Sequence, residues 1–141
     1  YPLAMNNDKT YRYRSVMLVD DNDIDNHVNR KTLEAVNFSE KITAYVSPQE
    51  VLKFIASTKP DCPEMMNELP QIIFLDINMP LMNGFEFAEQ FEKIDKTITQ
   101  NIRIIVLSTS NNPKDKKRAG ELKSINGFVS KPLERKHLLE L

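Results

Sequence analysis

Five short apolar runs, each followed by a helical pattern, place the strongest constraint on how this chain can fold. The runs cover residues 16–19, 42–46, 72–75, 102–107 and 127–130. The first, third and fourth runs are nearly continuous rather than alternating, which is typical of strands that are covered on both faces. Strands that alternate with helices predict a parallel sheet, and right-handed crossovers place helices on both of its faces. We therefore predict an α/β fold, a three-layer doubly wound (βα)5 sandwich.

The helical patterns between these runs carry their own start signals. After the first run, side chains that form one stripe recur every four residues, at Ile24, Val28, Thr32 and Val36. Ser47 is suited to cap the second helix, with Pro48 as its first residue. A fifth helix is expected to begin near Leu133 and to continue to the end of the sequence. Residues 58–70, rich in proline and polar side chains, are predicted to form a surface loop.

Composition excludes several classes of function. The chain of 141 residues has 19 basic and 20 acidic residues, and this balance argues against direct binding to nucleic acid. Cys62 is the single cysteine, which rules out an intramolecular disulfide and favours a reducing, cytoplasmic setting. No apolar run approaches the roughly 18 residues of a membrane-spanning helix, and no signal peptide is visible. Residues 1–13 are expected to form an N-terminal extension, and YPLA before Met5 is compatible with a vector remnant.

Three acidic residues follow two of the predicted strands. Asp20 and Asp21 come after the first run and Asp76 after the third. Ligands of open parallel sheets bind outside the carboxyl ends of the strands, where the winding reverses. In a 2-1-3-4-5 strand order the three carboxylates would meet there, and their repulsion would be relieved by a cation such as Mg²⁺. The alternative, that Asp20 and Asp21 only stabilise the start of the following helix, is weakened by Asp76.

Two further strands end in groups that suit an anion. Ser108, Thr109 and Ser110 follow the fourth run, and Lys131 and Pro132 follow the fifth. A hydroxyl and a cation beside a metal and a carboxylate are what a phosphate group requires. Taken alone, Ser108 is better explained by a backbone hydrogen bond, and Lys131 by solvation. Their significance comes from the coincidence of complementary groups at four strand ends.

Four motifs, VDDND, FLDINMPLMNG, VLSTS and FVSKPL, together resemble the receiver domain of two-component response regulators. The resemblance covers about residues 14–141 and implies a flavodoxin-like fold with the sheet order 2-1-3-4-5. It implies a signalling switch and not a metabolic enzyme. Such a switch catalyses only its own phosphorylation and dephosphorylation. The implied partners are a sensor histidine kinase or histidine phosphotransfer protein and a downstream protein of unknown identity, without direct contact to nucleic acid or membrane.

The resemblance assigns a metal site and a phosphoacceptor. Asp76 is implied to accept the phosphoryl group. Asp20 and Asp21 are implied to hold Mg²⁺, together with Asp76 and the backbone carbonyl of Asn78. Pro80 and the Asn83–Gly84 turn shape the loop that carries Asp76, and glycine at position 84 permits a positive φ there.

The resemblance also assigns the residues that would read the phosphoryl group. Ser108 matches the switch hydroxyl, and Lys131 would bind a phosphoryl oxygen, aimed by a cis bond to Pro132. Phe128 matches the aromatic residue whose inward or outward rotamer reports phosphorylation. Thr109 departs from the family pattern, in which a very small side chain is usual.

Two other functions are weighed against this interpretation. A phosphorylation-independent interaction module of the same fold stays open because of Thr109. A phosphatase of the haloacid dehalogenase type is disfavoured, because it needs a second aspartate where this chain has Asn78, a residue without acid-base chemistry. The phosphodonor is expected to dock across the first helix, near Asn22, Ile24 and Asp25.

Overall fold

A computed structural model describes residues 9–141, and the parallel sheet at its centre has five strands. The strands are β1 (Tyr13–Val19), β2 (Ser39–Tyr45), β3 (Ile72–Asp76), β4 (Arg103–Ser108) and β5 (Ile125–Ser130). Their order is β2-β1-β3-β4-β5, and each neighbouring pair is parallel. The predicted fold class and sheet order are confirmed. The vector-remnant prediction for the first residues falls outside the described part of the chain, and the boundary at residue 14 stays a prediction.

Seven helices connect or follow the strands within the described residues. They are α1 (Asp23–Ala35), α2 (Pro48–Ala56), α3 (Pro63–Asn67), α4 (Gly84–Phe91), α5 (Lys96–Thr99), α6 (Pro113–Glu121) and α7 (Arg135–Leu138). Ser47 caps α2 as predicted, since its side chain accepts a hydrogen bond from the N–H of Glu50 at 3.3 Å. No helix in residues 9–141 has the length and apolar character needed to cross a membrane.

Two predictions of local structure are wrong. The segment 58–70 is not a surface loop throughout. Pro63 begins the short helix α3, and Leu69, near the end of the segment, is buried. A proline at the first helical position favours such a start. The last helix is a single turn rather than a helix from Leu133. Leu133 is itself buried, and Glu134 is still extended, at φ −121° and ψ 159°.

The sheet has an apolar cluster on each face, which accounts for the unbroken apolar runs. In β1, Met17 and Val19 face one cluster, while Val16 and Leu18 face the other. All four side chains are at most 2% exposed. Such packing fixes the strands rigidly, so residues just beyond their carboxyl ends are held in defined positions.

Candidate functional site

The three predicted acids meet at the carboxyl edge of the sheet. Val19 lies opposite Leu75 in the β1–β3 register, so Asp20 and Asp76 leave adjacent strands side by side. Carboxylate oxygens of Asp20, Asp21 and Asp76 all lie within 4.8 Å of one another. Asp20 and Asp76 are buried, whereas Asp21 is exposed.

Asp20 does not serve as the helix cap. Asn22 caps α1, and its Oδ1 accepts hydrogen bonds from the N–H groups of Ile24 and Asp25. Asp20 instead accepts the N–H of Asn22 through Oδ1 at 2.9 Å. One oxygen of Asp20 is thus held by the backbone, which orients the carboxylate toward Asp76 and Lys131.

Lys131 extends from the end of β5 into the centre of the acidic cluster. Its Nζ lies 2.6 Å from Asp20 Oδ2, 3.0 Å from Asp25 Oδ2 and 3.1 Å from Asp76 Oδ1. The lysine side chain is 10% exposed, so these contacts are poorly screened by water. The contact with Asp25 was not predicted. It joins residues 106 apart in the chain, and no local pattern signals such a pair.

Burial and charge shift the ionisation of these groups in a consistent way. Burial raises the pKa of Asp20 above its ordinary value, although Lys131 and the N–H of Asn22 oppose that effect. Burial and the nearby charge of Asp20 raise the pKa of Asp76. Burial alone would lower the pKa of Lys131, but its hydrogen bonds to Asp20, Asp25 and Asp76 outweigh burial and raise it. The lysine is therefore charged, and it offsets only part of the burial and repulsion that raise the pKa values of the two buried carboxylates.

The donor set fits a hard divalent cation. Three carboxylates supply oxygen ligands of the kind that Mg²⁺ prefers, and exposed Asp21 leaves room for the waters that this ion retains. One lysine cannot neutralise all of the acids at this edge. Asn78 is exposed two residues after Asp76, and its backbone N–H partly offsets the raised pKa of Asp76. The assignment of its carbonyl as a metal ligand stays a prediction.

Gly84 closes the loop after Asp76 by a close backbone approach. The positive φ that glycine permits is not adopted at Gly84, since no glycine of the described chain has one. A Cβ atom on Gly84 would lie 2.9 Å from the Asp76 carbonyl oxygen and 3.0 Å from Ile77 Cα. The N–H of Gly84 donates to the Ile77 carbonyl at 2.9 Å. Glycine is required here because the loop folds back on the backbone of Asp76 and Ile77.

The ends of β4 and β5 are joined beside the acids. The N–H of Lys131 donates to the Ser108 carbonyl at 2.9 Å, and the Lys131–Pro132 bond is cis, as predicted. Ser108 is fully buried, and its Oγ accepts the N–H of Ser110 at 2.9 Å. Thr109 is exposed and lines, with Lys131, a cavity of about 210 Å³. The hydroxyl of Ser108 keeps its proton free to donate elsewhere.

Phe128 and the outer face of α1 complete the surroundings of the site. Phe128 is half-buried, lies opposite Val106 and packs against one core cluster. On α1, Ile24 is 72% and Val28 45% exposed, which is unusual for large apolar side chains. Val28 also lines the 210 Å³ cavity that includes Lys131. An apolar surface therefore borders the acidic cluster directly.

Comparison with known proteins yields one consistent family. The sequence profile described as "Response regulator receiver domain" matches residues 16–141. The chain is 27% identical over 126 residues to "Hybrid signal transduction histidine kinase L" from Dictyostelium discoideum, and 27% identical over 131 residues to "Histidine kinase CKI1" from Arabidopsis thaliana. These matches cover 89% and 91% of this chain but only 7% and 12% of those kinases.

Solved structures show the same fold. A two-component response regulator from Cytophaga hutchinsonii is 27% identical, with a TM-score of 0.80 and coverage of 93% of this chain and 94% of that one. A response regulator receiver protein from Dyadobacter fermentans is 26% identical, with a TM-score of 0.77 and coverage of 90% and 93%. The CKI1 receiver domain, complexed with Mg²⁺ and BeF3⁻, is 20% identical with a TM-score of 0.74 and coverage of 91% of both chains.

Proposed function

The chain belongs to the response regulator receiver domain family, and on that premise we propose that it is a phosphorylation-controlled signalling switch with Asp76 as phosphoacceptor. The observation that carries the proposal is the position of Asp76. It is a buried carboxylate at the carboxyl end of β3, within 4.8 Å of two other acids and 3.1 Å from Lys131 Nζ. Phosphoryl transfer depends mainly on positioning and charge stabilisation, and this edge of the sheet supplies both.

The proposed reaction transfers a phosphoryl group from a phosphohistidine. An oxygen of Asp76 attacks phosphorus, the phosphorus–nitrogen bond breaks, and the donor imidazole leaves with the electron pair of that bond and takes up a proton. The product is an acyl phosphate on Asp76. Lys131, already at Asp76, stays in contact with a phosphoryl oxygen and stabilises its charge. Hydrolysis of the acyl phosphate by water returns the carboxylate and releases inorganic phosphate.

Mg²⁺ is the cation that this donor set favours. Asp20, Asp21 and Asp76 would hold it, with the backbone carbonyl of Asn78 as a further ligand. When bound, it neutralises negative charge on the transferred group. The Mg²⁺ in the CKI1 receiver structure supports this choice, because that domain has the same fold.

The phosphorylated state would be read through Ser108 and Phe128. The free proton of the Ser108 hydroxyl would donate to a phosphoryl oxygen, and Ser108 lies at the end of the same strand as Val106, the neighbour of Phe128. Movement of β4 and β5 toward the phosphoryl group would draw the half-buried ring of Phe128 inward. A charge change at one edge would thus alter a surface on β5.

The proposed phosphodonor is a sensor histidine kinase or a histidine phosphotransfer protein. It would dock on the outer face of α1, where Ile24 and Val28 are exposed next to the acidic cluster. The curated relatives are histidine kinases, which supports a partner of this system. The free, partly exposed Cys62 supports a reducing, cytoplasmic setting.

Intact-mass measurement tests the proposal. The protein is incubated with acetyl phosphate, with and without Mg²⁺, beside Asp76→Asn and the control Asp23→Asn, an exposed acid at the start of α1. The expected result is a gain of one phosphoryl group in wild type and Asp23→Asn, dependent on Mg²⁺ and absent in Asp76→Asn. If hydrolysis removes the phosphoryl group before weighing, ¹⁹F NMR should still detect a complex with beryllofluoride, a phosphoryl mimic that is not hydrolysed. Wild-type protein that gives neither an adduct nor a beryllofluoride signal would refute the proposal in favour of a phosphorylation-independent module.

A further inference from the structure

Asn26 on α1 is a buried polar residue that contacts the backbone of Asp20, although its side chain is not one of the carboxylates of the acidic cluster. Its side chain is on the inner face of the helix, and the residue is 4% exposed. Nδ2 donates to the backbone carbonyl of Asp20 at 3.0 Å and to that of Tyr45 at 3.3 Å. Because carbonyl oxygens only accept hydrogen bonds, these two contacts determine which end of the amide faces the strands.

The other end of the amide is left without a partner. Asn26 Oδ1 is buried and is the one buried side-chain polar atom of the described residues with no hydrogen bond in the structure. An unmet buried acceptor is destabilising, which offsets much of the gain from the two hydrogen bonds of Nδ2. Stability alone is therefore a poor explanation for an asparagine at this position.

The Asn26 amide extends the sheet beyond its last backbone pair. The N–H of Asp20 donates to the Tyr45 carbonyl at 3.1 Å, and β1 then turns away from β2. Nδ2 bridges that same Tyr45 carbonyl and the carbonyl of Asp20, and so acts as one more link between the strands. The carbonyl of Asp20 belongs to the peptide that links it to Asp21. Fixing that peptide plane restricts the backbone torsions on either side of it, and so constrains where both side chains begin.

We propose that Asn26 is a positioning residue that holds the Asp20–Asp21 peptide in the orientation required for cation binding. The inference rests on the proposed function, because it assumes that these acids hold Mg²⁺. Residues that orient metal ligands typically change affinity by about 10–100-fold when removed. We expect the Mg²⁺ dissociation constant to rise by about 10-fold in Asn26→Leu, which keeps the approximate size but lacks the donor.

Asn29 provides a matched control on the same helix. It is also buried, at 3% exposed, but its Oδ1 accepts the N–H of Leu133 at 3.4 Å, and within the described residues its side chain makes no hydrogen bond to Asp20 or Asp21. Both Asn→Leu variants remove a buried amide, so both report the general cost of that change. Only Asn26→Leu is expected to weaken Mg²⁺ binding and to speed hydrogen exchange of the Asp20 amide, which donates to the Tyr45 carbonyl, in metal-free protein.

Isothermal titration with Mg²⁺ and urea unfolding of the full chain supply the measurements, and NMR of wild type supplies a test that needs no variant. During a Mg²⁺ titration, the side-chain amide resonances of Asn26 should shift with the same midpoint as the Asp21 backbone amide, while those of Asn29 stay in place. Equal Mg²⁺ affinity in wild type and Asn26→Leu, or unshifted Asn26 resonances, would overturn the role of Asn26 and leave the proposed metal site intact. Wild-type protein that binds no Mg²⁺ would instead count against the proposed metal site.

Discussion

Replacing Lys131 by Met should destabilise the metal-free protein and make its stability strongly dependent on Mg²⁺. The substitution keeps the apolar stem of the side chain and removes the charge that touches Asp20, Asp25 and Asp76. The raised pKa of Lys131 means that its pairing is complete throughout neutral pH and is lost only in strong alkali.

The magnitude follows from the geometry of the three contacts. One pair of unit charges about 3 Å apart gains roughly 5 kcal/mol at an effective dielectric constant near 20, and desolvation of the buried charges offsets most of it. The Asp25 side chain is 41% exposed, so its pair adds little. Removing one partner of a buried pair costs about 3–5 kcal/mol. We expect the free energy of unfolding of Lys131→Met to fall by about 3 kcal/mol, which for a chain of this size lowers the Tm by about 10 °C.

Urea unfolding followed by circular dichroism is the suitable assay, since the chain has no tryptophan. Mg²⁺ should recover most of the lost stability in Lys131→Met and add less to wild type, because the metal replaces the missing positive charge. The control is Lys136→Met, a lysine whose side chain is 73% exposed and whose single acidic contact is 3.9 Å away. Its stability should stay within about 0.5 kcal/mol of wild type. An equal loss for Lys131→Met with and without Mg²⁺ would show that Lys131 acts by packing and would refute the electrostatic argument.

Three other substitutions, one of them with a matched control, test the site. Asp76→Asn should gain about 0.5–2 kcal/mol in metal-free buffer at neutral pH. Because burial and Asp20 raise the pKa of Asp76, the wild-type carboxylate lowers stability as pH rises through that pKa. Urea unfolding should therefore show the stability gain of Asp76→Asn shrinking as pH falls toward about 4. A variant less stable than wild type at neutral pH would contradict this. Gly84→Ala should lose about 1–3 kcal/mol and weaken Mg²⁺ binding, because its Cβ would press on the Asp76 carbonyl. Gly120→Ala, with no atom within 4 Å of an added Cβ, should instead gain about 0.5–1 kcal/mol, and equal effects would exclude the steric argument. Asp25→Asn should change the free energy of unfolding by less than about 1 kcal/mol, because the Asp25 side chain is 41% exposed. A larger loss would show that its ion pair with Lys131 stabilises the fold more than an exposed pair does.

The strands and the convergence of the acids were predictable because both follow from patterns along the chain. Continuous apolar runs indicate strands covered on two faces, and β1 is buried on both. Asp20, Asp21 and Asp76 come immediately after such runs, so the sheet order alone brings them together. Helix α2 was equally clear, since Ser47 and Pro48 provide a local start signal.

The remaining features depend on contacts that no local pattern encodes. Asp25 meets Lys131, and Asn26 meets Tyr45, only after the sheet and α1 are assembled. Turn chemistry favoured glycine at position 84 because it permits a positive φ, whereas the actual constraint on Gly84 is the distance to the Asp76 backbone. The turn of helix at Pro63 was missed because a proline-rich, polar segment outweighs the signal of one short helix.

The contact between Lys131 and Asp20 also has a consequence for how the chain folds. It closes a loop of 111 residues, and the lysine arrives on the last strand of the sheet. A partly folded chain in which β1 and β3 have paired, but β5 has not, brings Asp20 and Asp76 together without the cation of Lys131. Such a species is electrostatically penalised, so docking of β5 removes charge repulsion as well as apolar surface from water. The residues of the candidate site thereby favour all-or-none assembly over a stable four-stranded intermediate.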